Sequence, residues 1–192
     1  MLFRSPRLLR ETAPVIASSI TFLFNLSTRD CHVPAEWKQV LVKALFKQRG
    51  DPSSPINCRL VSLINTIAKL LDRLHAQHLM KFLVKHRLIT DHQYGFYPRR
   101  SSALQLATVC HRWLRHLDSG HSVMAAFLDF CKAFDKVWHH GLLYKAAQKG
   151  LSPDALRWLQ SYLHNRTIEV RVGRQTSLPK AVTDRKSTRL NS

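Results

Sequence analysis

Hydrophobic residues along the chain follow two spacings, which predict helices interspersed with strands. Residues 65–86 repeat apolar side chains every three or four positions, as an amphipathic helix requires. Residues 37–46 and 56–63 are instead rich in apolar strand-forming residues and flank a segment of Gly, Pro and Ser, so they predict the two strands of a hairpin. Further helices are predicted over 7–27, from Ser101 or Ser102 to Gly120, over 140–149 and from 153 to about 163.

Short-range signals mark where several of these helices begin and end. Asn65 or Thr66 can cap the helix that follows, because each side chain can accept from a free backbone N–H. Ser152 precedes a proline at the first helical position and an acid in the first turn, which favours a helix start. Gly120 and Gly150 stand where helices commonly end. The helix before Gly120 is predicted to bury one side, which carries Leu104, Ala107, His111, Leu114 and Leu117.

Two further segments read as strands and complete the fold prediction. Residues 123–130 read V-M-A-A-F-L-D-F, a short continuous apolar run typical of a strand buried on both faces. Residues 168–172 alternate apolar and polar side chains before Gly173, as the first arm of a hairpin does. Strands and helices are mixed, and internal repeats are absent from the sequence. We therefore predict an α+β fold with a partly antiparallel sheet.

The charge of the chain points to a polyanionic partner. The sequence has 30 Lys and Arg against 12 Asp and Glu, a formal net charge of +18. Nucleic acid is the usual partner for such an excess, and a basic organelle protein or a ribosome-associated fold is the alternative. Apolar residues make up 45% of the chain, which excludes global disorder because a sizeable core can be buried.

The N-terminal segment and the cysteines carry weaker signals. Arg4, Arg7 and Arg10 precede an apolar stretch over 13–26, which could belong to a signal or transit peptide. Ser18, Ser19 and Thr21 interrupt that stretch, so an amphipathic helix packed on the main domain is favoured over a membrane span. The four cysteines form no C-x-x-C pair and match no zinc spacing, which indicates reduced thiols. These are Cys31, Cys58, Cys110 and Cys131.

Two of the few acids stand in a setting that suggests chemistry. Asp129 and Asp135 lie in F-L-D-F-C-K-A-F-D-K-V, and Asp129 ends an otherwise apolar run. Burying a carboxylate is costly unless it is paired, hydrogen-bonded or bound to a cation. Magnesium suits such a position, since it takes one or two carboxylates together with substrate phosphates. Capping of the following turn by Asp129 is an equally weighted alternative.

Four motifs in order resemble one family. The stretch F-L-D-F-C-K-A-F-D-K-V-W-H resembles the first palm motif of reverse transcriptases from non-LTR retrotransposons, the jockey-like group of long interspersed elements. Upstream, N-C-R-L-V-S-L-I-N-T-I-A-K-L-L-D-R-L resembles a fingers motif of that family. Between them lies L-I-T-D-H-Q-Y-G-F-Y-P-R-R-S-S, and downstream W-L-Q-S-Y-L-H-N-R-T-I-E-V-R-V-G, both with family counterparts. The resemblance covers roughly residues 6–183.

The resemblance implies the fingers and part of the palm of a right-hand polymerase. Residues 1–35 would form an N-terminal helical segment, 36–121 the fingers and 122–183 the start of the palm. The family continues with a G-V-P-Q-G motif and a hairpin bearing two more catalytic aspartates, which this sequence lacks. Residues 184–192 instead resemble the translation of a sequencing adapter, so we expect them to be absent from the natural product. We accordingly expect a truncated N-terminal fragment that is inactive by itself.

The resemblance also assigns roles to individual positions. Asp129 matches the metal-binding aspartate that helps hold two Mg²⁺ ions at the primer 3′ end, and the backbone carbonyl of Phe130 would join that coordination. Arg59 matches an arginine that contacts the incoming triphosphate, and Phe134 falls near the position that screens the sugar 2′-OH. Gln93, Gly95 and Phe96 match a loop that lies close to the template and the active site. Asp135 matches an acid with a structural role.

The implied activity is RNA-directed DNA polymerisation by two-metal nucleotidyl transfer. The partners would be an RNA template, a DNA primer and deoxynucleoside triphosphates, in the nucleus or cytoplasm as a ribonucleoprotein, with no membrane and no secretion. The oligomeric state is not indicated. A non-catalytic basic remnant that binds nucleic acid is the alternative. Some positions depart from the motifs, since Cys58 and Leu60 stand for Tyr and Pro, and Tyr97 and Arg99 for Arg and Gly.

Overall fold

The computed structural model describes residues 6–51, 54, 57–130, 133, 136–173 and 175–182. These residues belong to two compact units, one made of Met1–Gln77 and Phe134–Ser192 and the other of His78–Ala133. The predicted tail at 184–192 lies outside the described residues. Helices and strands alternate irregularly along the chain, around a sheet with both parallel and antiparallel pairs. This mixed architecture is the one predicted from the sequence.

Four helices contribute to the first unit, and local capping explains two of their starts. Asn65 accepts from the backbone N–H of Ile67 at 3.0 Å, and Ser152 accepts from that of Ala155 at 3.3 Å, so both predicted caps are confirmed. The helices are α1 Pro6–Arg29, α2 Thr66–Lys85, α4 His139–Gln148 and α5 Pro153–Leu163. Helix α2 begins in the first unit and ends in the second.

A five-stranded sheet lies in the first unit, with its longest strand in the middle. Strand β1 (Gln39–Phe46) pairs antiparallel with β2 (Cys58–Leu63), which confirms the predicted hairpin. The opposite edge of β1 pairs in parallel with β3 (Thr167–Val172), a strand close to the C-terminus of the chain. Short strands β4 (Gln175–Thr176) and β5 (Lys180–Ala181) pair antiparallel with β3, so the predicted second hairpin is also confirmed.

The core of the first unit forms where α1, α2 and α5 meet the segment before β1. Val33, Leu71 and Trp158 are each at most 6% exposed. The indole N–H of Trp158 donates to Ser27 Oγ at 3.3 Å, and that hydroxyl donates to the carbonyl of His32. A buried indole thus keeps a hydrogen-bond partner. The partly buried residues packed against this core are Phe24, Cys31, Trp37 and Tyr162.

Helix α1 packs against the rest of the first unit, as predicted. Ser27 is buried and Phe24 contacts the core, whereas Phe22 is 65% exposed. Leu9 is buried as well. Within the described part of the chain, no helix is both long and apolar enough to cross a bilayer.

The second unit contains the end of α2, an irregular loop and helix α3 (Ser102–Asp118). Ser101 caps α3 by accepting from the N–H of Leu104 at 3.2 Å, and Gly120 follows it with a φ of +77°, where a Cβ is disfavoured. Both ends of α3 are confirmed, but the prediction that one side of this helix is buried is wrong. Leu104, Leu114 and Leu117 are at least half exposed, since no other described element packs over them sufficiently.

Candidate functional site

The acidic position with the strongest sequence signal is not on a strand. Residues 121–130 form neither helix nor strand, Asp129 is exposed and Phe130 is 82% exposed. The prediction of a strand buried on both faces is therefore wrong for this structure. Such a strand needs hydrogen-bonded neighbours at its edges and apolar cover on its faces, and the described residues supply neither. Trp113 makes an edge contact with Phe127 at a ring-centroid distance of 6.5 Å.

Because Asp129 is exposed, burial gives no reason to expect a cation or another partner at its carboxylate. An exposed carboxylate keeps its hydration and needs no compensating cation. Among the described residues, no group of three or more His, Cys, Asp and Glu side chains is placed to hold a metal ion. The described part of the chain thus offers Asp129 as one candidate ligand and does not assemble a metal centre by itself. Phe134 and Asp135 lie outside the described residues, as does Cys131.

Arg59 lies on β2 in the first unit, where the sheet fixes its direction. It pairs directly with Leu45 of β1 and is exposed. The guanidinium is therefore presented to solvent from a rigid element, which suits a side chain that binds an anion. Asp129 belongs to the second unit.

The predicted loop residues lie together in the second unit. The side-chain amide of Gln93 donates to the carbonyl of Gly95 at 2.9 Å, and the Gln93 N–H donates to Thr90 at 3.1 Å. Phe96 has a φ of +59° and is 84% exposed. A left-handed conformation is uncommon for a residue with a bulky side chain, so surrounding contacts must hold the loop. An open cavity of about 390 Å³ adjoins it, lined by Met80, Leu88, Ile89, Thr90, Gln93, Gly95, Phe96 and Tyr97.

Arg100 supplies many of those contacts, and sequence reasoning did not find it. Its guanidinium donates to the carbonyls of Asp91 and Gln93 and to the Asp91 carboxylate, the last at 3.2 Å. It also lies over the rings of Tyr97 and Tyr94, 4.2 and 5.5 Å from their centroids. The available signal was an arginine preceded by two tyrosines and an acid within one loop. Arg100 thus closes the loop that carries Gln93 and Phe96.

A second polar network lies in the first unit and was also not predicted. The Tyr162 hydroxyl donates to Asp72 at 3.3 Å, and the Arg166 guanidinium lies 4.6 Å from the Tyr162 ring. Burial raises the pKa of the Asp72 carboxyl, although the Tyr162 hydrogen bond and the Arg166 charge oppose the shift. Burial and the Asp72 charge raise the pKa of Tyr162. These groups join α2, α5 and the start of β3.

Lys38 is a buried cation in the same unit. It is 7% exposed, and its Nζ donates to Ser161 Oγ at 3.5 Å. Burial, together with the nearby Arg166 charge, lowers the pKa of Lys38. Ser161 also accepts from the backbone N–H of Val33 at 2.9 Å. This contact joins the segment before β1 to α5, which is a structural role.

Comparison with known proteins gives one consistent family. The model of the family described as reverse transcriptase (RNA-dependent DNA polymerase) matches residues 47–184. The probable RNA-directed DNA polymerase from transposon BS of Drosophila melanogaster is 31% identical over 163 residues, covering 85% of this chain and 18% of that protein. The probable RNA-directed DNA polymerase from transposon X-element, also of Drosophila melanogaster, is 32% identical over 152 residues. That match covers 79% of this chain and 17% of that protein.

A third relative extends the match slightly. The RNA-directed DNA polymerase from mobile element jockey of Drosophila melanogaster is 30% identical over 169 residues, covering 88% of this chain and 18% of the relative. The chain therefore spans less than a fifth of the length of these curated relatives. The matched region includes Arg59, the loop around Gln93 and Asp129.

Proposed function

Since this chain belongs to the reverse transcriptase family of RNA-dependent DNA polymerases, we propose that it forms part of the polymerase of a non-LTR retrotransposon. The observation that carries the proposal is the family match over residues 47–184. That match favours a polymerase over a basic remnant that only binds nucleic acid. The proposed partners are an RNA template, a DNA primer and deoxynucleoside triphosphates. The proposed location is the nucleus or cytoplasm.

The proposed architecture is that of fingers followed by the start of a palm. Residues 36–121 would be the fingers and 122–183 the first part of the palm, after a helical segment over 1–35. The β1–β2 hairpin supports this proposal, because it presents Arg59 on a rigid strand toward solvent. Asp129 lies within the residues proposed as the start of the palm.

Asp129 is proposed as one metal ligand of the complete active site. Reverse transcriptases use divalent metals, and two Mg²⁺ ions would stabilise the attacking and leaving oxygens of an in-line displacement. The carboxylate of Asp129 and the carbonyl of Phe130 are hard oxygen donors of the kind Mg²⁺ prefers. Water, substrate phosphates and carboxylates from elsewhere in the complete enzyme would fill the rest of the octahedral shell. Asp135 is proposed as a structural acid.

The other assigned residues would position the nucleotide and the template. Arg59 can hold a triphosphate by charge and by its bidentate donors. Phe134 would oppose a ribose 2′-OH by its bulk. The loop of Gln93, Gly95 and Phe96 would face the template, and its exposed aromatic ring is suited to contact an unpaired base.

The experiment that tests this proposal is primer extension by a chimera. Residues 1–183 of this chain would replace the matching region of the jockey protein, and the chimera would be supplied with an RNA template, a DNA primer, dNTPs and Mg²⁺. We expect template-directed extension from the chimera and none from the 192-residue chain alone. A chimera that folds and binds the primer–template but does not extend it would contradict the proposal. Extension by the isolated chain would contradict the expectation that these residues alone are inactive.

A further inference from the structure

The face of the sheet that carries Arg59 also carries two further cations. Lys43 of β1 lies directly opposite Val61 of β2 on one side and Arg171 of β3 on the other. Leu45, two positions beyond Lys43, lies opposite Arg59. Directly opposed residues share a face of a sheet, and so do residues two apart on one strand. Lys43, Arg59 and Arg171 therefore project from the same face.

This end of the face is open and positively charged. Lys43 and Arg59 are exposed, and the residues between them, Leu45 and Val61, are 48% and 39% exposed. None of the ion pairs formed among the described residues involves Lys43, Arg59 or Arg171.

The remaining groups on this face compensate that charge only in part. Arg171 is half-buried, and its Nε donates to Thr176 Oγ1 at 3.2 Å, which fixes the side chain without neutralising it. Glu169 is on the same face beside the buried Leu41, two positions from Arg171, so one acid stands against three cations and the net charge stays positive. The open end is therefore a cationic surface.

The spacing of the three cations indicates the form of their ligand. Neighbouring strands lie about 4.8 Å apart and alternate residues of a strand about 6.8 Å apart. The diagonal from Arg171 through Lys43 to Arg59 is therefore about 12 Å long between Cα atoms, two strand spacings across and one alternate-residue step along. A nucleic-acid strand carries one phosphate per roughly 3.4 Å of its axis, so the length of this diagonal corresponds to about three or four steps from one phosphate to the next.

We propose that Lys43 and Arg171 bind the backbone phosphates of a nucleic-acid strand that runs across this face toward Arg59. The inference rests on the proposed function, which supplies a nucleic-acid partner, and it adds two residues and a surface. Phosphate contacts of this kind position a strand without reading its bases, so binding is independent of sequence and sensitive to salt. The triphosphate of a free nucleotide has the same chemistry, and the experiment distinguishes the two sources.

The test compares two double variants of equal charge. Lys43→Gln with Arg171→Gln removes two cations from the proposed surface, whereas Arg10→Gln with Lys69→Gln removes an exposed arginine and lysine from α1 and α2. Each variant of the 192-residue chain is titrated with a fluorescent single-stranded DNA oligonucleotide at several salt concentrations, and separately with dTTP. Circular dichroism checks that each variant is folded. If Arg171→Gln unfolds the chain, Lys43→Gln is compared with Lys69→Gln.

We expect the surface variant to bind the oligonucleotide about tenfold more weakly at low salt, with a salt slope smaller by about 1.4, which corresponds to two lost contacts to a single strand. The control variant should change much less. An equal loss in both variants would contradict the inference alone, because it would reflect net charge. Unchanged oligonucleotide binding with loss of dTTP binding would also overturn it. An unaltered chain that binds no oligonucleotide would contradict the proposed function as well.

Discussion

The imidazole of His75 stacks on the indole of Trp158 at a ring-centroid distance of 3.7 Å, joining α2 to α5 across the core of the first unit. The Tyr162 ring also stacks on the indole, at a ring-centroid distance of 5.5 Å, and the indole N–H donates to Ser27 Oγ. Trp158 thus connects three helices that are far apart in the sequence.

Replacement of this tryptophan should be among the most destabilising single changes in the chain. Trp158→Ala should lower the free energy of unfolding by about 3–5 kcal/mol, because it leaves a cavity and removes both stacks. Urea denaturation followed by circular dichroism measures the effect. Trp113→Ala, which removes a less buried tryptophan in the second unit, is the matched control and should cost clearly less. Equal costs would contradict the central place of Trp158 in the core.

Asp72 should make stability depend on pH in acid solution. Its folded-state pKa is raised above the unfolded value, chiefly by burial, so the folded state holds the proton more tightly. This contribution to stability is fully present below the unfolded pKa, near 4, and is lost as pH rises through the folded pKa. The free energy of unfolding of the unaltered chain minus that of Asp72→Asn should therefore fall between pH 3 and pH 6. A difference that is constant or rises over this range would show that burial does not dominate at Asp72.

Arg100 should control the order of the loop that carries Phe96. Arg100→Ala removes three hydrogen bonds and the contacts with two tyrosine rings. The loop should then open more often, and chymotrypsin should cleave after Phe96 at least about tenfold faster, since the loss of even one charge-assisted hydrogen bond costs about 1.5 kcal/mol. Arg112→Ala on α3 is the control. Cleavage that is equally slow in both variants would mean that other contacts hold the loop.

Phe134 should determine which sugar the polymerase accepts. In the active chimera, Phe134→Ala should increase ribonucleotide incorporation relative to deoxyribonucleotide incorporation about tenfold, because less bulk opposes the 2′-OH. The ratio of kcat/KM values for matched nucleotides measures this selectivity. Trp138→Ala, a nearby aromatic change, is the control. An unchanged ratio in Phe134→Ala would remove this residue from the nucleotide site.

The features that sequence analysis predicted correctly depend on neighbouring residues. Asn65, Ser101 and Ser152 cap helices through hydrogen bonds that span two or three positions, and Gly120 ends one by a conformation that its own lack of a side chain permits. The hairpin of β1 and β2 is likewise specified by two short runs and the turn between them. These interactions are local, so their signals are present in the adjacent sequence.

Most of the errors and omissions concern contacts between distant segments. The parallel pairing of Gln39 with Thr167 leaves no local mark, although it places Lys43 beside Arg171. Residues 123–130 have the composition of a buried strand, but composition does not supply the partner strands. Arg100 was missed because an arginine in a loop is usually solvated. The roles of Asp129, Phe130, Phe134 and Asp135 came from a family resemblance, and they stay predictions.

The account depends most on the role of Asp129, and substitution of aspartates in the active chimera tests it most directly. Primer extension on an RNA template with Mg²⁺ would be measured for Asp129→Asn, Asp135→Asn and the exposed control Asp118→Asn, each checked for folding and primer–template binding. We predict that Asp129→Asn reduces extension to background because it removes a metal ligand, that Asp135→Asn reduces it less and that Asp118→Asn leaves it unchanged. Equal activity of folded Asp129→Asn and Asp118→Asn would contradict the account.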